Sequence, residues 1–222
     1  MIVDLNLSEK LVIVVGGGTE GVRKVKGLLG QNCNIVLISD EIDPILYNLN
    51  QQGKINIIRK KINNADILND FSDPFLILAA TDDKNLNRKI VEKGRSMGSF
   101  VYAADDPPVS DFSYASIINI EGVLQTAIST YGRSPLMARK LRIKVEQILE
   151  KSITKSDIEN TKLQEFARNA ARPVIQTVNE RKQFLYSILN DNTIQNLISE
   201  DKIEEARHAT LELLNKWESV KK

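Results

Sequence analysis

Cysteine and histidine are almost absent from this chain of 222 residues, which contains one of each. The single cysteine, Cys33, excludes a disulfide framework and a thiolate metal cage. The single histidine, His208, excludes a histidine-rich metal site. We therefore expect no metal centre built by the protein.

The sequence also lacks an excess of charge of either sign and any long apolar run. Its 30 Lys and Arg residues against 29 Asp and Glu residues give a net charge of +1, which argues against a nucleic-acid-binding surface. No apolar segment approaches the roughly 20 residues that span a membrane, and the N-terminus lacks the basic and apolar regions of a signal peptide. We expect a cytoplasmic protein that binds neither nucleic acid nor membrane.

What the sequence does contain is a glycine-rich turn directly after an apolar strand. The run of residues 11–15 leads into G-G-G-T-E-G, and three of these glycines occupy the glycine positions of G-x-G-x-x-G. Such a turn lets the backbone approach a pyrophosphate, which binds at the N-terminus of the following helix. The alternative is a turn with a purely structural role. The residues predicted to contact a dinucleotide here are Gly16, Gly17, Gly18, Thr19, Glu20 and Gly21.

An acidic residue follows the second predicted strand at the distance that a dinucleotide site requires. The strand spans residues 34–39, and Asp40 lies about twenty residues beyond the glycine turn, where a carboxylate accepts the ribose 2′-OH. Ser39 can share this contact. Because a carboxylate repels a 2′-phosphate, the cofactor predicted is NAD rather than NADP. The alternative is that Asp40, Glu41 and Asp43 only cap or solvate the next helix.

The alternation of strands and helices predicts an α/β fold with an N-terminal Rossmann-type parallel sheet. Predicted strands are 11–15, 35–39, 55–59, 75–80 and 100–103, with helices near 22–29, 42–50 and 84–97. Two further strands, 116–120 and 123–129, precede a helix from Ser134 to about Lys151, and the rest is helical with a kink at Pro173. We expect a dinucleotide-binding domain over 1–112, a central dimerisation segment over 113–150 and an all-helical domain over 151–222. The two central strands are too few to bury their own faces, which favours a homodimer.

Four segments, in order, carry a family resemblance. They are L-N-L at 5–7 leading into V-V-G-G-G-T-E-G-V-R-K-V at 14–25, L-I-L-A-A-T-D-D-K-N-L-N at 76–87, V-Y-A-A-D-D-P at 101–107, and A-I-S-T-Y-G-R-S-P at 127–135. Residues 1–150 thereby resemble the siroheme-synthase family of precorrin-2 dehydrogenases, some of which are also sirohydrochlorin ferrochelatases. The resemblance implies that NAD⁺ takes a hydride from precorrin-2 to give sirohydrochlorin.

The resemblance also implies a catalytic carboxylate, which falls on Asp105. This residue follows a predicted strand at the edge where the ligand crevice opens, and a carboxylate there can act as general base if its surroundings raise its pKa. On local sequence alone Asp105 is a turn residue of Asp-Asp-Pro-Pro. Thr81 and Asp82 end another strand at the same edge, so we expect them near the cofactor, although helix capping is an alternative for Asp82.

The family's tetrapyrrole substrate carries eight carboxylates and therefore requires cations and helix N-termini. The expected substrate-binding residues are Ser129, Thr130, Arg133 and Ser134. The sequence departs from the family pattern at Tyr102, Ser110, Ala115 and Tyr131, which we expect around the tetrapyrrole crevice. Two alternatives stay open. One is a bifunctional dehydrogenase and ferrochelatase, and the other is a non-enzymatic NAD-sensing regulatory protein.

Overall fold

The computed structural model describes residues 2–219, and the chain divides into two compact units between Tyr114 and Ala115. The first unit contains five parallel strands in the order β3-β2-β1-β4-β5. The strands are β1 Leu11–Gly17, β2 Asn34–Ile42, β3 Asn56–Arg59, β4 Leu76–Ala79 and β5 Phe100–Ala103. Three helices accompany them: α1 Thr19–Leu28, α2 Pro44–Gln51 and α3 Lys84–Ser96. The predicted Rossmann-type parallel sheet is confirmed.

Alternate side chains of each strand point to opposite faces of the sheet. Both faces are buried, because each packs in an apolar cluster of its own. Val12 and Val14 of β1 belong to the apolar cluster that includes residues of α1 and α2. Ile13 and Val15 belong to a second cluster, which includes residues of α3. The strand order proceeds outward from β1 in both directions, so the carboxyl ends of β1 and β4 flank a topological switch point, where doubly wound sheets bind ligands.

The second unit consists of an antiparallel hairpin and helices. Its hairpin pairs β6 Ser116–Ile120 with β7 Leu124–Ile128, and α4 Pro135–Ser152 packs against both strands. The remaining helices are α5 Lys155–Ala171, α6 Val178–Leu189, α7 Asn192–Ser199 and α8 Ile203–Ser219, which share one apolar cluster. Across residues 2–219, the structure contains no helix that is both long enough and apolar enough to span a membrane.

The structure differs from the sequence expectation at two boundaries. Tyr114 lies in the first unit rather than in a segment beginning at 113, because its ring packs 5.0 Å from Tyr102 and 5.5 Å from Phe112. The hairpin, α4 and the later helices form one unit rather than two.

The predicted kink at Pro173 is wrong, since α5 ends at Ala171 and the next helix begins only at Val178. A proline has no N–H for the helical ladder, and here the chain leaves the helix before it.

Candidate functional site: a crevice at the carboxyl edge of the sheet

A crevice of about 950 Å³ opens at the carboxyl edge of the parallel sheet. It is lined by residues at and just beyond the carboxyl ends of β1, β2 and β4, as expected for this fold. Nine of the ten residues predicted to contact the cofactor line it: Gly16, Gly17, Gly18, Thr19, Glu20, Ser39, Asp40, Thr81 and Asp82. Sequence reasoning missed Lys61 and Ile62, which also line it. Their position just after β3, at the same edge, was the signal that could have found them.

The glycine turn provides a backbone surface without side chains. Gly16 has φ +113°, and a Cβ there would collide with the carbonyl of Ala80 at the end of the neighbouring strand. Gly21 does not line the crevice, and a Cβ on it would collide with the carbonyl of Gly16. A Cβ on Gly18 would meet nothing within 4 Å. Two of these glycines therefore allow close packing, and the third borders open space.

The N-terminus of α1 is suited to an anion. Gly18 is its N-cap and offers no side-chain hydrogen bond, whereas a side chain caps each of the described helices from α2 to α7. The first-turn N–H groups of a helix need acceptors and attract negative charge. Together with the space in front of Gly18, these groups fit the pyrophosphate of a dinucleotide.

The acidic residues at the carboxyl end of β2 and just beyond it have separate roles in the structure. Asp43 is the N-cap of α2, with its carboxylate accepting a hydrogen bond of 2.8 Å from the N–H of Ile45. Asp40 does not cap this helix, and it lines the crevice while accepting a bond from the N–H of Glu41. The Ser39 hydroxyl is largely buried and donates to the Glu41 carbonyl at 2.7 Å. Asp40, Glu41 and Asp43 all line the crevice, and of these Asp43 is the helix cap.

Thr81 and Asp82 follow β4 at the centre of the same edge. The hydroxyl of Thr81 donates to Oδ1 of Asn87 at 2.7 Å, so this side chain is held within the loop. Asp83 caps α3, accepting from the N–H groups of Asn85 and Leu86. Capping thus belongs to Asp83, and Asp82 is an exposed residue of the crevice wall.

Two neighbouring carboxylates follow β5 and are held by successive residues of α3. Asp105 is exposed, and its Oδ1 accepts a hydrogen bond of 2.7 Å from Nδ2 of Asn87. Asp106 accepts from Nε and Nη2 of Arg88 at 2.9 and 2.7 Å. This ion pair raises the pKa of the Arg88 guanidinium. The Asp106 carboxylate is therefore in an ion pair with Arg88, whereas the Asp105 carboxylate accepts its hydrogen bond from a neutral amide.

A buried lysine, Lys24, lies on α1 one helical turn after Glu20. The side chain of Lys24 is 3% exposed, and its Nζ lies 3.3 Å from a Glu20 carboxylate oxygen. The same nitrogen lies 3.9 Å from the ring centroid of Tyr102 and 3.7 Å from that of Tyr114. Burial lowers the pKa of Lys24 from 10.5 to about 8, although the contact with Glu20 opposes this shift. Burial also raises the pKa values of both tyrosines.

Two of the departures from the family pattern, Tyr102 and Ser110, have defined contacts in the structure. Tyr102 is 9% exposed and belongs to the core cluster that includes residues of α1, so its departure from the family pattern affects core packing. The Ser110 hydroxyl accepts a hydrogen bond of 2.9 Å from the N–H of Ala103, at the end of β5. Tyr131 is 77% exposed in the second unit.

The four predicted substrate-binding residues lie together in the loop between β7 and α4. Ser134 caps α4 by accepting from the N–H of Met137 at 3.2 Å. Thr130 Oγ1 accepts from the Ser134 N–H, and Ser129 Oγ accepts from the Tyr131 N–H. The Arg133 guanidinium lies 5.9 Å from the Tyr131 ring centroid. The loop therefore joins hydroxyls, a cation and a helix N-terminus. Within residues 2–219, no three His, Cys, Asp or Glu side chains group as metal ligands.

Comparison with known proteins agrees with this geometry. A family model described as "Putative NAD(P)-binding" matches residues 3–116, which contain the whole sheet and the crevice. The chain belongs to this family. It is also similar to the siroheme synthases of Mannheimia succiniciproducens, at 32% identity over 203 residues, and Actinobacillus succinogenes, at 32% over 209 residues. These matches cover 91% and 94% of this chain, which spans only 40% and 41% of the length of those relatives.

A solved structure, "SirC, precorrin-2 dehydrogenase", has the same fold. The TM-score is 0.68 at 24% sequence identity, and the match covers 97% of this chain and 99% of that one. The match therefore includes both the parallel sheet and the C-terminal helices, and it confirms the α/β fold followed by an all-helical region.

Proposed function

We propose that this chain is an NAD-dependent precorrin-2 dehydrogenase that produces sirohydrochlorin. The observation that carries the proposal is the placement of one accessible carboxylate, Asp105, at the end of β5, on the edge that also forms the dinucleotide crevice. The names of the similar proteins, siroheme synthase and precorrin-2 dehydrogenase, support the same activity.

The reaction removes a hydride and a proton from precorrin-2. NAD⁺ supplies the hydride acceptor, and the products are sirohydrochlorin, NADH and a proton. Gly18 and the first turn of α1 bind the pyrophosphate, and Asp40 binds the ribose. Asp105 accepts the proton as general base. Ser129, Thr130, Arg133 and Ser134 bind substrate carboxylates through hydroxyls, a cation and the N-terminus of α4.

The active form that we propose is a homodimer built through the second unit. Helix α4 leaves large apolar side chains exposed, with Leu136 at 80% and Ile148 at 61%, and Ile117 of the hairpin is 48% exposed. Large apolar side chains exposed in this way support an interaction site on the second unit. Sedimentation should report a dimer at micromolar concentration, and a full-length monomer would contradict this part of the proposal.

The test of the activity is an anaerobic assay with precorrin-2 and NAD⁺ in which sirohydrochlorin absorbance is followed. Asp105→Ala should lower kcat by on the order of a hundredfold, the usual effect of losing a general base, with NAD⁺ affinity unchanged. The matched control is Asp106→Ala, which removes an ion pair with an exposed Arg88 and should be milder.

The outcomes separate the activity from the residue assignment. If the wild-type chain binds NAD⁺ tightly but does not turn over precorrin-2, the dehydrogenase proposal fails and the NAD-sensing alternative gains support. If the wild type is active and Asp105→Ala is equally active, the activity stands and the assignment of Asp105 as the base is wrong.

A further inference from the structure

Asn87 links the crevice to the proposed catalytic carboxylate. It lies on α3, its residue is 0% exposed, and its amide contacts the loops that follow β4 and β5. Nδ2 donates to the carbonyl of Thr81 at 2.9 Å and to Oδ1 of Asp105 at 2.7 Å. Oδ1 accepts from the N–H of Thr81 at 3.1 Å and from its hydroxyl at 2.7 Å. One side chain therefore bridges a residue of the cofactor crevice and Asp105.

The orientation of this amide follows from its partners. The N–H of Thr81 is only a donor, so the atom that faces it must be the amide oxygen of Asn87. The NH₂ group then faces the Thr81 carbonyl and the Asp105 carboxylate, both of which are acceptors. Both hydrogens of the amide are used, and its oxygen accepts two hydrogen bonds. A saturated buried amide of this kind has one rotamer available and is rigid.

The consequence for Asp105 is that its two carboxylate oxygens differ. Oδ1 is engaged by the Asn87 amide, whereas among the described residues no group donates a hydrogen bond to Oδ2. Asp105 itself is exposed, so without Asn87 its χ angles would be free to sample several rotamers. Catalysis by a general base depends on holding the accepting oxygen in reach of the proton.

We propose that Asn87 is a positioning residue, which fixes the Asp105 carboxylate so that Oδ2 accepts the substrate proton and ties that geometry to Thr81 in the crevice. This inference rests on the dehydrogenase function proposed above. The competing explanation is that Asn87 only stabilises the loop at Thr81, in which case its bond to Asp105 has no effect on the reaction.

The decisive variant is Asn87→Asp, which keeps the size of the side chain. One carboxylate oxygen can still accept from Thr81, but the other replaces the NH₂ group and places a negative charge against Oδ1 of Asp105. We expect kcat to fall by at least about tenfold and the acidic limb of its pH profile to move to higher pH, because adjacent carboxylates disfavour each other's ionisation. NAD⁺ affinity, measured by calorimetry, should change by less than about threefold.

Two further variants separate the contact with Asp105 from charge and from folding. Asn85→Asp adds the same charge at an exposed position on α3 and should leave kcat and its pH profile unchanged. Asn87→Ser removes the amide without adding charge. It should lower kcat and move the acidic limb to higher pH by less than Asn87→Asp does, because only a hydrogen bond to the ionised Asp105 carboxylate is lost. This variant tests the proposal even if Asn87→Asp does not fold.

A double-mutant cycle tests whether Asn87 acts through Asp105. In the Asp105→Asn background, Asn87→Asp should lower kcat by less than about twofold further, because residues that act as a unit are not additive. An equal further loss in that background, or wild-type kcat in both Asn87 variants, would overturn the proposal.

Carbon-13 NMR of the Asp105 carboxyl, assigned from Asp105→Asn, keeps the test independent of turnover. In Asn87→Asp the titration midpoint of this carboxyl should lie at higher pH than in the wild type. A wild type without turnover would end the dehydrogenase proposal, and the NMR shift would then still report whether the Asn87 contact controls the carboxylate. An unchanged midpoint would overturn the inference in either case.

Discussion

The buried Lys24 of α1 should make the stability of the first unit depend on pH. Lys24→Met removes this dependence while it retains an unbranched side chain of similar length. In the folded protein the pKa of Lys24 is about 8, against 10.5 for the unfolded chain. Between these values the unfolded chain holds a proton that the folded chain has lost. The free energy of unfolding of the wild type therefore rises with pH in this interval.

The size of the effect follows from the same two pKa values. The full difference corresponds to at most about 3 kcal/mol, at 1.36 kcal/mol per pKa unit. Raising the pH from 7 to 9.5 covers part of the interval and should increase the stability of the wild type, relative to Lys24→Met, by at most about 2 kcal/mol. Residual solvent screening and the favourable contacts of the ammonium with the Tyr102 and Tyr114 rings reduce this value.

Urea unfolding of both proteins at several pH values measures the difference. Far-UV circular dichroism follows both units, while the fluorescence of Trp217, the only tryptophan, follows the second unit. The series should end near pH 9.5. The raised pKa values of Tyr102 and Tyr114 give stability that is present below the unfolded value of about 10 and is lost above it.

Two charged groups besides the tyrosines bear on the interpretation. Glu20 pairs with Lys24, and Arg23 pairs with Glu20 at 2.8 Å, so both charges are present in the wild type and in Lys24→Met. Subtracting the variant's pH dependence therefore isolates the lysine. Parallel curves for the two proteins, or a wild type whose relative stability falls between pH 7 and 9.5, would refute the reasoning.

The remaining predictions concern the cofactor. Gly18→Val should weaken NAD⁺ binding by at least about tenfold in calorimetry with the fold intact, because the new side chain enters open space where the pyrophosphate must approach. Gly27→Val, at an exposed position of α1 that is also open, is the matched control, and equal affinities for both variants would remove the turn from the site. Asp40→Ala should weaken NAD⁺ more than NADP⁺, and an equal loss for both would contradict the ribose contact.

Local sequence was sufficient for the parts of the site that depend on neighbouring residues. An apolar strand, a glycine turn and a helix follow one another within residues 11–28, and the parallel sheet brings the carboxyl ends of its strands to one edge. Because the carboxyl ends of parallel strands meet at one edge, the sequence predicted that Asp40 and Thr81 lie near the glycine turn, and all three line the crevice. The same rule also placed Asp105 at the same edge, although its catalytic role came from the family resemblance.

Other features depend on contacts between residues far apart in the chain, and only the tertiary structure decided them. The local sequence around Lys24 predicts only an ordinary helical lysine. Its burial depends on Tyr102 and Tyr114, which lie some 80 to 90 residues later in the chain. Asn87 reads as an ordinary residue of α3, and its link between Thr81 and Asp105 requires the loops after β4 and β5 to lie side by side. Periodicity reports which face of an element is buried, but the partner of a buried polar group is set by packing between elements.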